Sequence, residues 1–166
     1  MYHGDKHVIK MLLETCQMLY SAQWFTGSSL LKAPLAKNGQ RGYKAAHMNH
    51  PCTKWVRETR ENYIWTARLA LALADEYEYR WPGRVHSCKE HALWLRENIP
   101  PLPLHPSTPF AVAMDDEFKV AGKPIASYRK YYIYSKAVRG LAVYTRRTTP
   151  SFLRPTNCSA AKGINE

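Results

Sequence analysis

The segment from Asp5 to Trp24 limits the fold of this chain more than any other. Val8, Ile9, Met11, Leu12, Leu13, Cys16, Met18, Leu19, Tyr20, Ala22 and Trp24 leave it little polar surface. Its polar residues His7, Lys10, Glu14, Gln17 and Ser21 follow one another at intervals of 3, 4, 3 and 4. At about 3.6 residues per turn they share one face of a helix. A helix that is apolar over most of its circumference has to be buried on most of its sides. The spacing therefore predicts a helix capped by Asp5, with one polar stripe turned to solvent, to a cleft or to buried partners. Gly27-Ser28-Ser29 ends it.

The remaining signals are also helical. Asn49-His50-Pro51 reads as a helix entry with Pro51 at the first helical position. Trp55, Val56, Tyr63, Leu69, Leu73 and Tyr77 carry that helix to Tyr79, and Trp81-Pro82-Gly83 stops it. Further helices are expected over residues 87–97 and 124–144, with a turn or short helix near residues 108–118. Residues 33–48 read as a mobile loop. Residues 98–109 hold Pro100, Pro101, Pro103, Pro106 and Pro109 and should run extended. No internal repeat is present. The expected fold is all-α, a compact single-domain bundle of about four helices with long proline-rich loops. The domain spans residues 1–150, and residues 151–166 form a poorly ordered tail. A chain of 166 residues buries enough surface to need neither disulfide nor metal.

Charge narrows the partner. Lys and Arg total 24 against 13 Asp and Glu, a formal charge of +11. The excess is local, because no acidic residue lies between Phe118 and Asn165. Such a stretch reads as a disordered basic tail or as a phosphate-facing surface. It favours a polyanion, either nucleic acid or an anionic membrane. No apolar run approaches the roughly 20 residues that span a bilayer, and DNA is the expected partner. Cys16, Cys52, Cys88 and Cys158 lie far apart with no CxxC pair. They read as reduced thiols of an intracellular protein. The polar first residues do not read as a signal peptide, so secretion is not expected.

Three groups of residues are candidates for function. In the stripe, apolar walls make the carboxylate and amine of Glu14 and Lys10 chemically useful, with His7 and Gln17 beside them. On an open surface the same pair is an ordinary i,i+4 ion pair, worth about 0.2–0.5 kcal/mol. Lys54, Arg57 and Arg60 flank Trp55 and read either as phosphate contacts or as a solvated helix face. Tyr128, Arg129, Lys130, Tyr132, Lys136 and Arg139, followed by Arg146 and Arg147, interleave aromatic rings with cations. That mixture suits exposed bases and their phosphates, although tyrosines also serve as amphipathic core residues. His86-x-Cys88-x-x-His91 and His47-x-x-His50-x-Cys52 lack a standard zinc spacing and read as capping and packing residues. No phosphate-binding glycine loop, dinucleotide fingerprint, nucleophile elbow or zinc-protease helix is present. Neither a metal nor a cofactor is expected.

Residues 4–14, Asn49-His50-Pro51-Cys52, Glu61-Asn62-Tyr63-Ile64-Trp65, Glu76-Tyr77, Thr108-Pro109-Phe110, Ala113-Met114 and Tyr128-Arg129-Lys130-Tyr131-Tyr132 carry a resemblance through most of the chain. The chain resembles an uncharacterised family of small proteins from phages and large DNA viruses. That resemblance implies work inside an infected host cell. Over about ten residues, Asp5-x-His7 followed by Glu14 also looks like the first helix of the phage pyrimidine-dimer DNA glycosylases of the endonuclease V type. This second resemblance implies base flipping from double-stranded DNA, cleavage of the glycosidic bond and a nick at the abasic site. It maps the catalytic glutamate of that family onto Glu14, and its histidine and aspartate onto His7 and Asp5. The glycosylases use an N-terminal amine set well upstream of the aspartate, whereas Met1 here precedes Asp5 by four residues. Either a leading segment supplies the amine, or Lys10 replaces it, or the chemistry is absent. The expected function is a glycosylase and abasic-site lyase for damaged or modified pyrimidines. The alternatives are a non-catalytic nucleic-acid-binding protein and a DNA base-modifying transferase.

Overall fold

The computed structural model describes residues 2–154. The fold is all-α. Its helices are α1 (Asp5–Phe25), α2 (Pro51–Glu58), α3 (Arg60–Arg80), α4 (Lys89–Glu97) and α5 (Pro124–Tyr131). A π-helical turn, Tyr132–Ala137, continues α5, and short 3-10 turns cover Asp116–Phe118 and Ser151–Leu153. Among the described residues the only β pairing is an isolated bridge between Leu35 and Arg41.

α1 is buried on most sides, as its sequence requires. Leu12, Cys16, Leu19 and Tyr20 have no exposed surface, and they pack with Val56 of α2, Tyr63 and Leu73 of α3 and Leu95 of α4. The small side chains of Ala67, Ala70 and Ala74 form one buried face of α3. Small residues at a contact let two helix axes approach closely. The loop at residues 33–48 is fastened to the bundle at several points. Gly42 N–H donates to the Pro34 carbonyl at 2.9 Å, and Tyr43 packs into the core. Gly42 has φ +68°, and a Cβ there would lie 2.6 Å from the Tyr20 ring. Glycine is required on both counts.

The helix expected from Pro51 to Tyr79 is two helices. Thr59 is extended (φ −138°, ψ 156°), and its hydroxyl accepts the Asn62 N–H at 3.1 Å, capping α3. Arg60 N–H leaves the helical ladder and donates to the Pro103 carbonyl at 2.9 Å. Buried Asn62 locks this corner. Its amide donates to the Trp55 carbonyl and the Thr108 hydroxyl, both at 2.8 Å. Its Oδ1 accepts from Ser107 and from Thr108 N–H at 2.9 and 3.1 Å. The break is the point where the extended proline-rich strap is tied to the bundle.

The helix expected over residues 124–144 is shorter as well. Leu141 N–H reaches the Lys136 carbonyl at 3.0 Å, and Gly140 (φ +67°) turns the chain toward α1. There Asp5 N–H donates to the Val143 carbonyl at 2.8 Å. Gly4, not Asp5, is the N-cap of α1. A Cβ on Gly4 would lie 2.6 Å from the Leu141 carbonyl oxygen, so only glycine allows this approach. The Asp5 carboxylate instead accepts from Thr145 Oγ1 at 2.7 Å and from Arg80 Nη1 at 2.7 Å. The Arg80 side chain is wholly buried, and its Nε donates to Glu76 at 2.8 Å. Arg147 grips the same carboxylate through two nitrogens at 3.0 and 2.8 Å. Of the expected tail, residues 151–153 form a 3-10 turn, with Phe152 edge-on to Tyr2 at 5.5 Å. Residues 155–166 of that tail, with Cys158, lie outside the described residues. Cys16, Cys52 and Cys88 are free thiols.

Burial pushes the Asp5 and Glu76 carboxyls up. Hydrogen bonds from Thr145 and Arg80 to Asp5, and from Arg147 and Arg80 to Glu76, outweigh it and hold both below the ordinary range. A carboxylate lowered in the folded state stabilises it fully above its unfolded pKa, about 3.9 for Asp and 4.3 for Glu. That contribution disappears as the pH falls through the lowered values. Urea unfolding midpoints are therefore expected to hold steady from about pH 7 to 5 and to drop below about pH 4. Arg80→Met leaves Asp5 without a cation and Glu76 with Arg147 alone, and is expected to cost about 3 kcal/mol at neutral pH in the same measurement. A cost under 1 kcal/mol would show that the network does not bear on stability.

Candidate functional site

The polar stripe of α1 does not face one environment. Ser21, at its far end, is buried under the 33–48 loop, where its hydroxyl donates to the Ala46 carbonyl at 2.9 Å. At the near end His7 meets Tyr132 of the π turn. Two features that are over 100 residues apart in the chain thus meet across α1.

The tightest contact is between His7 Nδ1 and Tyr132 Oη, 2.5 Å apart. The same oxygen accepts the Gly4 N–H at 3.2 Å. Burial pushes the Tyr132 phenol up, so it stays protonated and can donate to the imidazole. Burial, followed by the charges of Lys136 and Lys10, pushes His7 down, so its ring is neutral at pH 7. A neutral imidazole that accepts at Nδ1 carries its proton on Nε2. His7 is thus arranged as an N–H donor on the side of the ring away from Tyr132.

Glu14, two turns along α1, is ion-paired with Lys10 at 3.2 Å; the side chains are 39% and 69% exposed. The solvated Lys10 ammonium is a charge contact rather than a desolvated amine nucleophile. Across from Glu14 stands Cys52, at the start of α2. Burial and then the Glu14 charge raise its thiol, whose sulfur lies 3.9 Å from the Tyr128 hydroxyl. Tyr128, pushed up to about 12 by burial, donates to the Ala111 carbonyl at 3.0 Å. The result is a shallow cleft with a carboxylate, a neutral imidazole and two phenols. The charges of Lys10, Lys136 and Arg139 all bear on His7. Gln17 is half-buried on the same face, one turn beyond Glu14.

Other candidates lie elsewhere or are occupied. Arg57 sits over the Phe25 ring at 4.5 Å, near the far end of α1, while Lys54 is exposed and Arg60 half-buried. Arg146 and Arg147 both lie over Tyr79, at 4.9 and 3.9 Å, and Arg147 is also committed to Glu76. Arg129 lies over Phe152 and Lys130 donates to the Glu117 carbonyl. Asp5 is a fastener rather than part of the cleft. His50 and His86 accept backbone N–H groups of Cys52 and Cys88, at 3.2 and 3.1 Å, which is a capping role. His91 bonds the Tyr20 hydroxyl at 2.8 Å. Among the described residues no cluster of His, Cys, Asp or Glu is placed to hold a metal ion. No helix is long and apolar enough to cross a membrane among them. Sequence reasoning missed Cys52 as a neighbour of Glu14, since nothing in the spacing links α2 to the stripe.

Comparison with protein-family models, curated proteins and solved structures finds no match to this chain.

The His7 arrangement can be read by NMR. Lys136→Ala removes a charge that lowers His7, so the histidine titration is expected to move up toward about 6.5. Tyr132→Phe removes the donor at Nδ1, and the imidazole nitrogen shifts are expected to change from a single Nε2–H tautomer to a mixture. Unchanged nitrogen shifts in Tyr132→Phe would mean that the phenol does not set the tautomer.

Proposed function

We propose that the chain binds DNA where the stripe of α1 meets α5 and the π turn, and acts there as a glycosylase on a damaged or modified pyrimidine. The observation that carries this reading is the convergence of Glu14 and His7 with Tyr128, Tyr132 and Lys136 on one face. Cations in such a place hold phosphates, and aromatic rings receive a base that has left the stack. A carboxylate beside the flipped nucleotide stabilises positive charge growing on the sugar and takes a proton from water attacking C1′. The neutral His7 N–H is available to the sugar or to the departing base. Lys10, ion-paired and solvated, fits a phosphate contact. The abasic-site lyase step requires it to leave Glu14, lose a proton and add as an amine to the C1′ aldehyde of the opened sugar, whose oxygen leaves as water to give an imine.

A second reading, a binding protein without chemistry, rests on the Lys10–Glu14 geometry, which is that of an ordinary surface pair. One pair of measurements separates the two. In the catalytic reading, Glu14→Gln lowers base release from dimer-containing duplex DNA at least about a hundredfold and keeps duplex affinity within about threefold, roughly one lost charge contact. If the wild-type chain binds duplex but releases no base from dimer-containing duplexes or from duplexes with modified pyrimidines, the binding reading stands and the glycosylase is excluded. Borohydride trapping on an abasic duplex, lost in Lys10→Ala, is the expected sign of the lyase step.

A further inference from the structure

The cleft uses one face of α5; the opposite face is also open. It forms a groove of about 680 Å³ with a floor of Ile125, Ile133, Tyr134 and Phe152 and a rim of Lys123, Arg129 and Lys130. Tyr134 is 64% exposed and Ile125 59%. No acidic side chain lines the groove. Arg129 lies over the Phe152 ring at 5.6 Å, so one cation is already layered on an aromatic face. Lys130 Nζ is steadied by the Glu117 carbonyl at 2.6 Å. Tyr132 points to His7, while Tyr134, two residues on and so on the other side of the helix, lines the groove.

We propose that this groove binds a single-stranded nucleic-acid segment, with a base stacked on Tyr134 and phosphates on Lys123 and Lys130. The inference rests on the DNA reading above and adds a second contact to it. Cations beside an exposed ring, with no acid among them, match a chain of phosphates and bases. The ligand is single-stranded because the faces of bases inside a duplex are already stacked and unavailable to Tyr134. The cleft and the groove are separated by α5 alone, a helix about 10–12 Å across with its side chains. A strand parted at the cleft can therefore reach the groove by passing one helix.

The test uses a fluorescent 12-mer of oligo-dT and a 12-base-pair duplex, with affinities from anisotropy at several salt concentrations. Tyr134→Ala is expected to weaken oligo-dT binding about tenfold, in line with the loss of one base stack. Tyr134→Phe keeps a ring and is expected to stay within about twofold, which separates stacking from any loss of structure. Lys123→Ala is expected to flatten the salt dependence by about 0.7, the loss of one single-strand phosphate contact. Duplex affinity should be insensitive to Tyr134→Ala. The groove assignment is overturned if Tyr134→Ala and Lys123→Ala bind oligo-dT like the wild type. Displacement of oligo-dT by poly-glutamate of equal charge overturns it too, in favour of an acidic peptide. So does concentration-dependent self-association that Tyr134→Ala abolishes, in favour of a second copy of the chain. A wild-type chain that binds duplex but not oligo-dT removes the groove and leaves the DNA reading standing. A chain that binds neither removes both.

Discussion

Arg80 has no access to water, and the meeting of the first turn of α1 with the segment around Thr145 follows from that. A buried guanidinium is costly unless carboxylates surround it. Here one carboxylate, Glu76, comes from its own helix and the other, Asp5, from the first turn of α1. Glu76 alone would leave a cation with one partner and a further face over the Tyr144 ring, 5.7 Å away. Asp5 completes the set only if the start of α1 lies against the end of α3. Thr145 and Arg147 then close the network from outside and hold the returning segment in place. Two helix ends and one loop thereby meet at a single side chain.

This fastening reaches the cleft through a short path. Gly4 and Asp5 are clamped by the 141–145 segment, and Gly4 N–H also bonds the hydroxyl of Tyr132. His7 stands on the next turn of the same helix. The distance between His7 and Tyr132 is therefore set by a clamp that neither residue belongs to. Groups that must meet within a few tenths of an ångström gain from supports of this kind, because a loose side chain spends most of its time elsewhere. Asp5, two residues before His7, serves the cleft in this way. Its oxygens are taken by Thr145 and Arg80, and none is left to face a substrate in the role the glycosylase resemblance implies.

The all-α fold and the burial of α1 could be read from the spacing of apolar residues, because a helix with one polar face in four has few places to go. The split at Thr59 could not. Residues 51–79 have an unbroken helical pattern, and the break is stabilised by Pro103, Ser107 and Thr108, which come from a segment some 45 residues further on. Local pattern carries no information about such a partner. The same holds for the stripe. Its spacing made it one surface, yet Ser21 lies under a loop while His7 faces a tyrosine, since what covers a helix face is decided by other elements. The basic residues show a third limit. Their number pointed to a polyanion, but charge in a sequence does not distinguish Arg147, held by Glu76, from Lys123, which is exposed.

The π turn links these observations. Had α5 continued as a regular helix to Tyr144, Arg139 would have lain on the face of Tyr128 and Tyr132, and the chain could not have returned to Asp5. Widening the turn at Tyr132–Ala137 and reversing at Gly140 brings Leu141 and Val143 over the start of α1. The spacing of the tyrosines divides them between two surfaces, Tyr128 and Tyr132 toward the stripe and Tyr134 toward the outer groove. A helix with a locally poorer hydrogen-bond ladder is less stable than a regular one, and such turns persist where surrounding contacts hold them. Here those contacts are the bond between Tyr132 and His7 and the clamp on Asp5. The irregular turn and the buried arginine are therefore parts of one arrangement, in which closing the fold at α1 also positions the residues that line the cleft.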